Sequence, residues 1–448
     1  MKPATGVPAD RAALRALKWW AQRYDLNDKE RQLAYGFDPK DLASSGWGVL
    51  FASDVGEDVR SALEPLLKLR RQQAGDRFKP FEWSKPQTKQ QFLAAHGAAA
   101  GGPANPTKIP YYLLIVGDPK TIPFRFQYDL DVPHAVGRLH LKNADDYASY
   151  ARSVVDAETG NGVLPRRPRR EVALFGVCNP DDPATYRTLY DLIEPLAKVV
   201  KEELKKKPGW DLREFLREDA TKAQLARLLG GGETPSLLFT ASHGMRFPID
   251  DKRFPADQGA LLCQDWPGPI VWGKKEIPRD FYFSGADVGD QSLLGLIAFF
   301  LACHSAGSPD LSDFDEYNLA EPTRIAPAPF LADLPSRLLS HPCGGALAVV
   351  GHIDRAWTIS FGFSESGQTE VYDSLVKCLL DGHPIGFAME YVNQTHAALS
   401  ADLSQFVGKR ALSPNEERRL NRTWQANNDA RNFVVLGDPA VRLMARPD

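Results

Sequence analysis

Ser236-Leu237-Leu238-Phe239-Thr240-Ala241-Ser242-His243-Gly244 and, further on, Leu296-Ile297-Ala298-Phe299-Phe300-Leu301-Ala302-Cys303-His304-Ser305-Ala306-Gly307 decide how this chain is read. Each is a short apolar run that stops at a reactive side chain. Runs of this length, closed by turn residues, read as strands buried on both faces, as in a parallel sheet. Open α/β sheets bind ligands beyond the carboxyl ends of their strands. The pattern therefore puts an imidazole, His243, and a thiol, Cys303, where such a sheet does its chemistry. A thiol beside an imidazole can lose its proton and attack a carbonyl carbon.

Outward from these two runs the same signal recurs. Residues 47–52, 111–116 and 135–139 read as strands before them, with 171–177 nearer by and 345–350 and 432–436 after them. Helices are predicted between: 10–24 with Trp19-Trp20, one after Asp54 as N-cap carrying Val59, Leu63 and Leu66, then 144–156, 185–200 and 221–229. Gly230-Gly231-Gly232 closes the last of these and reads as a C-cap. Strands alternating with helices imply a parallel-rich, doubly wound α/β sheet sandwiched by helices. The Pro- and Arg-rich piece 164–170 reads as a linker and as an exposed basic site for self-cleavage. It divides an amino-terminal companion α/β subdomain, 1–165, from a carboxy-terminal catalytic domain, 166–448.

Composition narrows the function. The chain has 448 residues, 43% hydrophobic and 25% charged, with a formal net charge of −3. That balance belongs to a globular protein and gives no bulk attraction to nucleic acid or to an anionic membrane. No apolar run reaches the ~18 residues of a membrane span, and the first residues lack the apolar core of a signal peptide. The five cysteines, 178, 263, 303, 343 and 378, are scattered and odd in number. They fit a reducing, cytoplasmic compartment, and none has zinc-ligand spacing, so no metal is expected. Neither a G-x-G-x-x-G nor a P-loop signature is present, so no cofactor is expected.

Ser242-His243-Gly244 and Ala302-Cys303-His304-Ser305-Ala306 resemble the His-Gly and Ala-Cys-x-Ser-Ala signatures of caspase-fold (clan CD) cysteine proteases, with the CHAT and gingipain branches nearest in flavour. The flanking pieces agree: Tyr111 to Asp118, Val136-Gly137-Arg138-Leu139, Gly344-Gly345-Ala346-Leu347-Ala348-Val349-Val350-Gly351, and Leu436-Gly437-Asp438-Pro439. The resemblance runs from about residue 111 to the end. It implies a caspase-like sheet and a cysteine endopeptidase with Cys303 as nucleophile and His243 as general base. Gly244 and Cys303 would offer backbone N–H groups to the oxyanion.

The resemblance further implies cleavage after Arg or Lys at P1, the residue whose carbonyl is attacked. An acid upstream of the catalytic His would read that side chain; Asp129 is the choice, with Asp131 next. Asp118 is a candidate for orienting His243, and Asp354 and Trp357 for building a substrate subsite. His352, ending its strand, is placed at the site's rim. His304 is read as structural and Cys343 as buried. The stretch 259–266 reads as a small β-ribbon over the cleft, and the acidic segment 307–329 as a lid loop. The implied partner is a protein substrate or a dedicated partner protein, in a bacterial defence or regulated-death system. Two other readings stay open: a catalytically silent scaffold on the same fold, and another cysteine hydrolase or acyltransferase. Oligomeric state is not legible.

Overall fold

The computed structural model describes residues 32–99, 101–160, 169–314, 323–357, 369–406 and 413–444. The expected opening helix at 10–24 lies outside them, as does most of the expected linker, at 161–168. The strands are β1 (Trp47–Ala52), β2 (Phe78–Trp83), β3 (Tyr112–Val116), β4 (Ala135–Leu139), β5 (Arg169–Gly176), β6 (Asp211–Leu216) and β7 (Pro235–Ala241). They continue with β8 (Leu261–Leu262), β9 (Tyr282–Phe283), β10 (Ile297–Leu301), β11 (Gly307–Ser308), β12 (Phe330–Leu331), β13 (Ala348–His352) and β14 (Phe433–Gly437).

Ten of these form one sheet in the order β2-β1-β3-β4-β14-β13-β10-β7-β5-β6. Every neighbouring pair is parallel except β13 with β14. The sheet is thus two parallel blocks of opposite direction, joined where β14 lies against β13. β14 comes from the carboxy-terminal end of the chain yet pairs with β4. The amino-terminal block is completed by the last strand, and the two halves share a single sheet.

Burial explains why the central strands form. β1, β3, β4, β7, β10, β13 and β14 are buried at every position, because helices cover both faces. Helices 57–74 and 144–159 pack together on one side. The first takes Gly56 as its N-cap, while Asp54, expected in that role, accepts instead from the Thr121 hydroxyl at 2.8 Å.

The contact between the end of β14 and the amino-terminal block is polar and buried. Arg70 donates from Nε to Asp438 Oδ2 at 2.7 Å and from Nη2 to Glu158 Oε1 at 2.6 Å. Trp47 Nε1 donates to Asp438 Oδ1 at 2.9 Å, and the Asp438 N–H donates to the Tyr150 hydroxyl. Gly137 is required here: a Cβ would lie 2.1 Å from the Gly437 carbonyl oxygen. So Gly137 and Gly437-Asp438-Pro439, prominent in the sequence, meet across the β4–β14 pair.

The register of β7 against β10 is fixed by aromatic packing. Phe239 and Phe299 are register partners whose rings stack 4.6 Å apart, and Tyr372 from helix Glu370–Leu380 sits edge-on to both. Such pairs add about 0.5–1.5 kcal/mol beyond their burial. A slip of one residue would turn every side chain over.

Candidate active site

Four strands of the second block, β5, β7, β10 and β13, end on one edge of the sheet, and their following loops build the site. Ala241 pairs with Leu301, so His243 and Cys303 each stand two residues past the same register pair. The backbones touch just beyond: a Cβ on Gly244 would lie 1.8 Å from the Cys303 carbonyl oxygen and 2.8 Å from its nitrogen. Only glycine fits there. Gly244 also faces Leu261 across an isolated bridge whose bonds run from Met245 N to Ala260 O and from Leu262 N to His243 O. The N–H groups of Gly244 and Cys303 have no acceptor among the described residues.

The β8–β9 ribbon abuts this turn; only its first strand falls in the expected 259–266, its partner is Tyr282–Phe283, and neither strand is among the described cavity-lining residues. Leu262 and Tyr282 of the ribbon join Met245, Phe247 and Trp266 in a small core of their own. Gly259 enters it with φ of 79°, where a Cβ would meet the His304 carbonyl oxygen at 2.1 Å.

His243 Nε2 lies 2.5 Å from Asp182 Oδ2, which leaves Nδ1 for the nucleophile. Asp182 is the N-cap of helix Pro183–Arg187 and also accepts from Ala184 N at 3.1 Å through Oδ1. Burial pushes its carboxyl up, but the His243 contact, the Ala184 N–H and Thr185 outweigh that and hold it below the usual carboxylate value. Asp118, expected in this role, instead accepts from Lys120 N and lies near Lys120 and His140. The missed signal was Asp182-Pro183, a readable cap-and-first-turn pair. Nothing in that pair says what the other carboxylate oxygen will touch.

The Cys303 sulfur accepts from Ala356 N at 3.3 Å and lies 3.6 Å from Ala356 O. Burial pushes the thiol up to about 11; the Ala356 N–H and Arg355 oppose this, while Asp429 and Asp354 add to it. The resting group is a thiol that needs a base. A cavity of about 420 Å³ opens beside it, walled by His243, Arg187, Arg355, Ala356 and Trp357.

Other expected residues have different duties. Asp129 is held near Lys89 and Arg125, and the Asp131 carboxylate caps the start of β4 by accepting from Val136 N at 3.0 Å. Neither lines the cavity. Asp354 is 1% exposed; its carboxylate accepts from Asp313 N, Arg355 N and Ser312 Oγ, so it shapes the loop rather than facing substrate. Trp357 does line the cavity, with its N–H donated to Asp429 Oδ1 at 2.7 Å. His352 is fully buried between Asp429 and the Asp354 carbonyl, away from any rim. His304 is buried with a left-handed φ of 57°, bonded through Nδ1 to Ser308, and burial pushes it down to about 3. Cys343, expected buried, is exposed. In the expected lid loop, β11 pairs with β12, and 315–322 lies outside the described residues.

Compared with solved structures, the chain is similar to the Arg-specific cysteine proteinase gingipain R (RgpB), at a TM-score of 0.51 and 12% identity, over 90% of this chain and 78% of that one. This is a caspase-like fold. A structure named only as a protease (TM-score 0.49, 12% identity, 89% and 79% covered) and the complex of Porphyromonas gingivalis RgpB pro- and mature domains (0.48, 13%, 90% and 80%) are also similar. No family model matches the chain, and no curated protein matches it significantly. The sheet order sets the site's layout: the strand before Cys303 in the middle, the strand before His243 on one side, and β13 with its loop on the other.

Proposed function

We propose that the chain is a cysteine endopeptidase in which Cys303 attacks the scissile carbonyl and His243 handles the proton. The observation that carries this is the shared register of His243 and Cys303, with Asp182 on the far side of the imidazole. His243 Nδ1 takes the thiol proton as sulfur bonds to the carbonyl carbon. The oxygen of the tetrahedral intermediate lies against the Gly244 and Cys303 N–H groups. Collapse breaks the C–N bond, and His243 gives its proton to the leaving amine. The acyl-enzyme thioester remains, and a water deprotonated by the same imidazole releases the acid and restores the thiol.

Asp182 fixes the tautomer and steadies the imidazolium, as a carboxylate does for a catalytic histidine generally. Substrate must displace the Ala356 contacts from the sulfur, so the resting site is only weakly nucleophilic. A protein substrate or dedicated partner, a cytoplasmic setting and a role in defence or regulated death follow the resemblance alone, as analogy. No described helix is long and apolar enough to cross a membrane. Cleavage after Arg or Lys would need a carboxylate in the cavity, and the described lining has none.

The test is labelling with peptidyl acyloxymethyl ketones, read by intact mass and peptide mapping on wild type, Cys303→Ala and Cys343→Ala. An adduct at Cys303 that persists in Cys343→Ala and is absent in Cys303→Ala is the expected result. No adduct and no peptide turnover with any probe would return the chain to a silent scaffold.

A further inference from the structure

We propose that the cavity beside Cys303 recognises a carboxylate side chain at P1, Asp or Glu, and that Arg187 is the residue that reads it. This rests on the endopeptidase reading above and replaces the basic P1 that the resemblance implied.

Among the described lining residues the formal charge is one-sided. Arg187 enters from helix Pro183–Arg187 and Arg355 from the loop after β13, and both line the space together with His243 and Cys303. Since β7 and β13 flank β10 on opposite sides, the two guanidiniums approach from the histidine side and from the opposite wall. No Asp or Glu is among the described lining residues. The carboxylates close by are committed: Asp182 through one oxygen to His243 and through the other to Ala184 N, Asp429 to Trp357 N, and Asp354 to Asp313 N and Arg355 N.

Arg187 is exposed and makes no hydrogen bond or ion pair with any described residue. Two other arginines of the same half differ in this. Arg217 is tied to Glu194 and Tyr190, and Arg213 to Glu171 and Glu233. A guanidinium without a partner among the described residues, beside a cavity that holds the Cys303 thiol, is placed for an anion brought by substrate. Its planar fork matches a carboxylate through two parallel bonds. Pro183, Ala184, Leu301, Ala356 and Trp357 supply an uncharged, largely apolar part of the lining, with the hydroxyls of Thr185, Thr188 and Ser242 beside it, so the pair would form in surroundings that strengthen it. A Lys or Arg at P1 would meet the like charge of Arg187 instead.

The experiment uses the whole chain and fluorogenic peptides identical except at P1: Asp, Glu, Leu, Arg or Lys. A sixth peptide has Leu at P1 and places a free terminal carboxylate one residue beyond. The matching acyloxymethyl ketones report Cys303 labelling in parallel. The expected result is a kcat/KM for Asp or Glu at least about tenfold above Leu, Arg and Lys. Arg187→Ala should erase that preference, and Arg187→Glu should turn it toward Arg and Lys. Both variants should keep the wild-type circular dichroism, because the side chain is exposed and unbonded. Labelling of Cys303 with best cleavage after Leu, Arg or Lys overturns the P1 assignment and leaves the peptidase standing. So does preferred cleavage of the free-terminus peptide, or an acidic preference that survives both substitutions. Absence of labelling and turnover with every probe overturns the peptidase reading and this inference with it.

Discussion

His243 Nε2 and Asp182 Oδ2 stand 2.5 Å apart although 61 residues separate them in the chain. Asp182 does two things at once: one oxygen caps a helix and the other holds the imidazole. These duties can be taken apart. Asn keeps the cap but gives up the charge, whereas Ala loses both.

Asp182→Asn should lower kcat by about 10²-fold or more while leaving the melting temperature near wild type. Asp182→Ala should lower kcat similarly and also cost about 1 kcal/mol of stability from the lost cap. Steady-state kinetics beside thermal denaturation checks the pair; an Asn variant with wild-type kcat would remove Asp182 from the mechanism. The pH direction follows from the depressed carboxyl. Its folded value lies below its unfolded value, so its contribution to stability is in place above the ordinary carboxylate value of 3.8 and fades as pH falls through the lower folded value. An activity loss centred above pH 5 therefore belongs to another group.

The resting thiol is held up at about 11 by burial. Alkylation of Cys303 by iodoacetamide, followed by peptide mapping in the absence of substrate, should be slow at pH 7 and quicken about tenfold per pH unit toward 11. A rate already at its plateau at neutral pH would mean a preformed thiolate–imidazolium pair.

Gly244→Ala forces a Cβ to within 1.8 Å of the Cys303 carbonyl oxygen, and backbone rather than a flexible tip must give way. We expect kcat/KM to fall about 10²-fold or more, since displacements near 1 Å at a reacting centre cost that much. The strain should destabilise the fold by about 1–3 kcal/mol. Peptide turnover and urea denaturation measure the two effects separately.

Arg70→Ala strands the Asp438 carboxylate, which is 0% exposed, and most of Glu158. Breaking a buried pair from one side costs about 3–5 kcal/mol, far more than an exposed pair would. Because this cluster ties the end of β14 to the helices and β1 of the amino-terminal block, and β14 also pairs with β13, the loss should appear as one cooperative unfolding transition at lower denaturant. Two separated transitions would mean that the blocks fold independently.

Much of this was legible because it depends on local pattern. Burial on both faces requires unbroken apolar runs, so the central strands could be read directly, and their ends located His243 and Cys303. Gly244 was read only as an N–H donor facing substrate; its close approach to the Cys303 backbone depends on the β7–β10 register. The edge strands β2 and β6 were not: they alternate or stay half-buried, and Pro80 and several charges hide them.

What the chain could not state by itself are the pairings between distant segments. Asp182, Asp118 and Asp129 look alike as acids in turns or on helices, and only the sheet order decides which one reaches the imidazole. β14 joins the first block because its two neighbours each offer a free edge, a matter of sheet completion that no local pattern encodes. The sign of the cavity is the same kind of fact. Arg187 and Arg355 lie far apart in sequence and meet across β10 only because β7 and β13 flank it. Periodicity and side-chain chemistry determined the strands and placed His243 and Cys303 at their ends; through-space contacts, set by strand order and register, decided their partners.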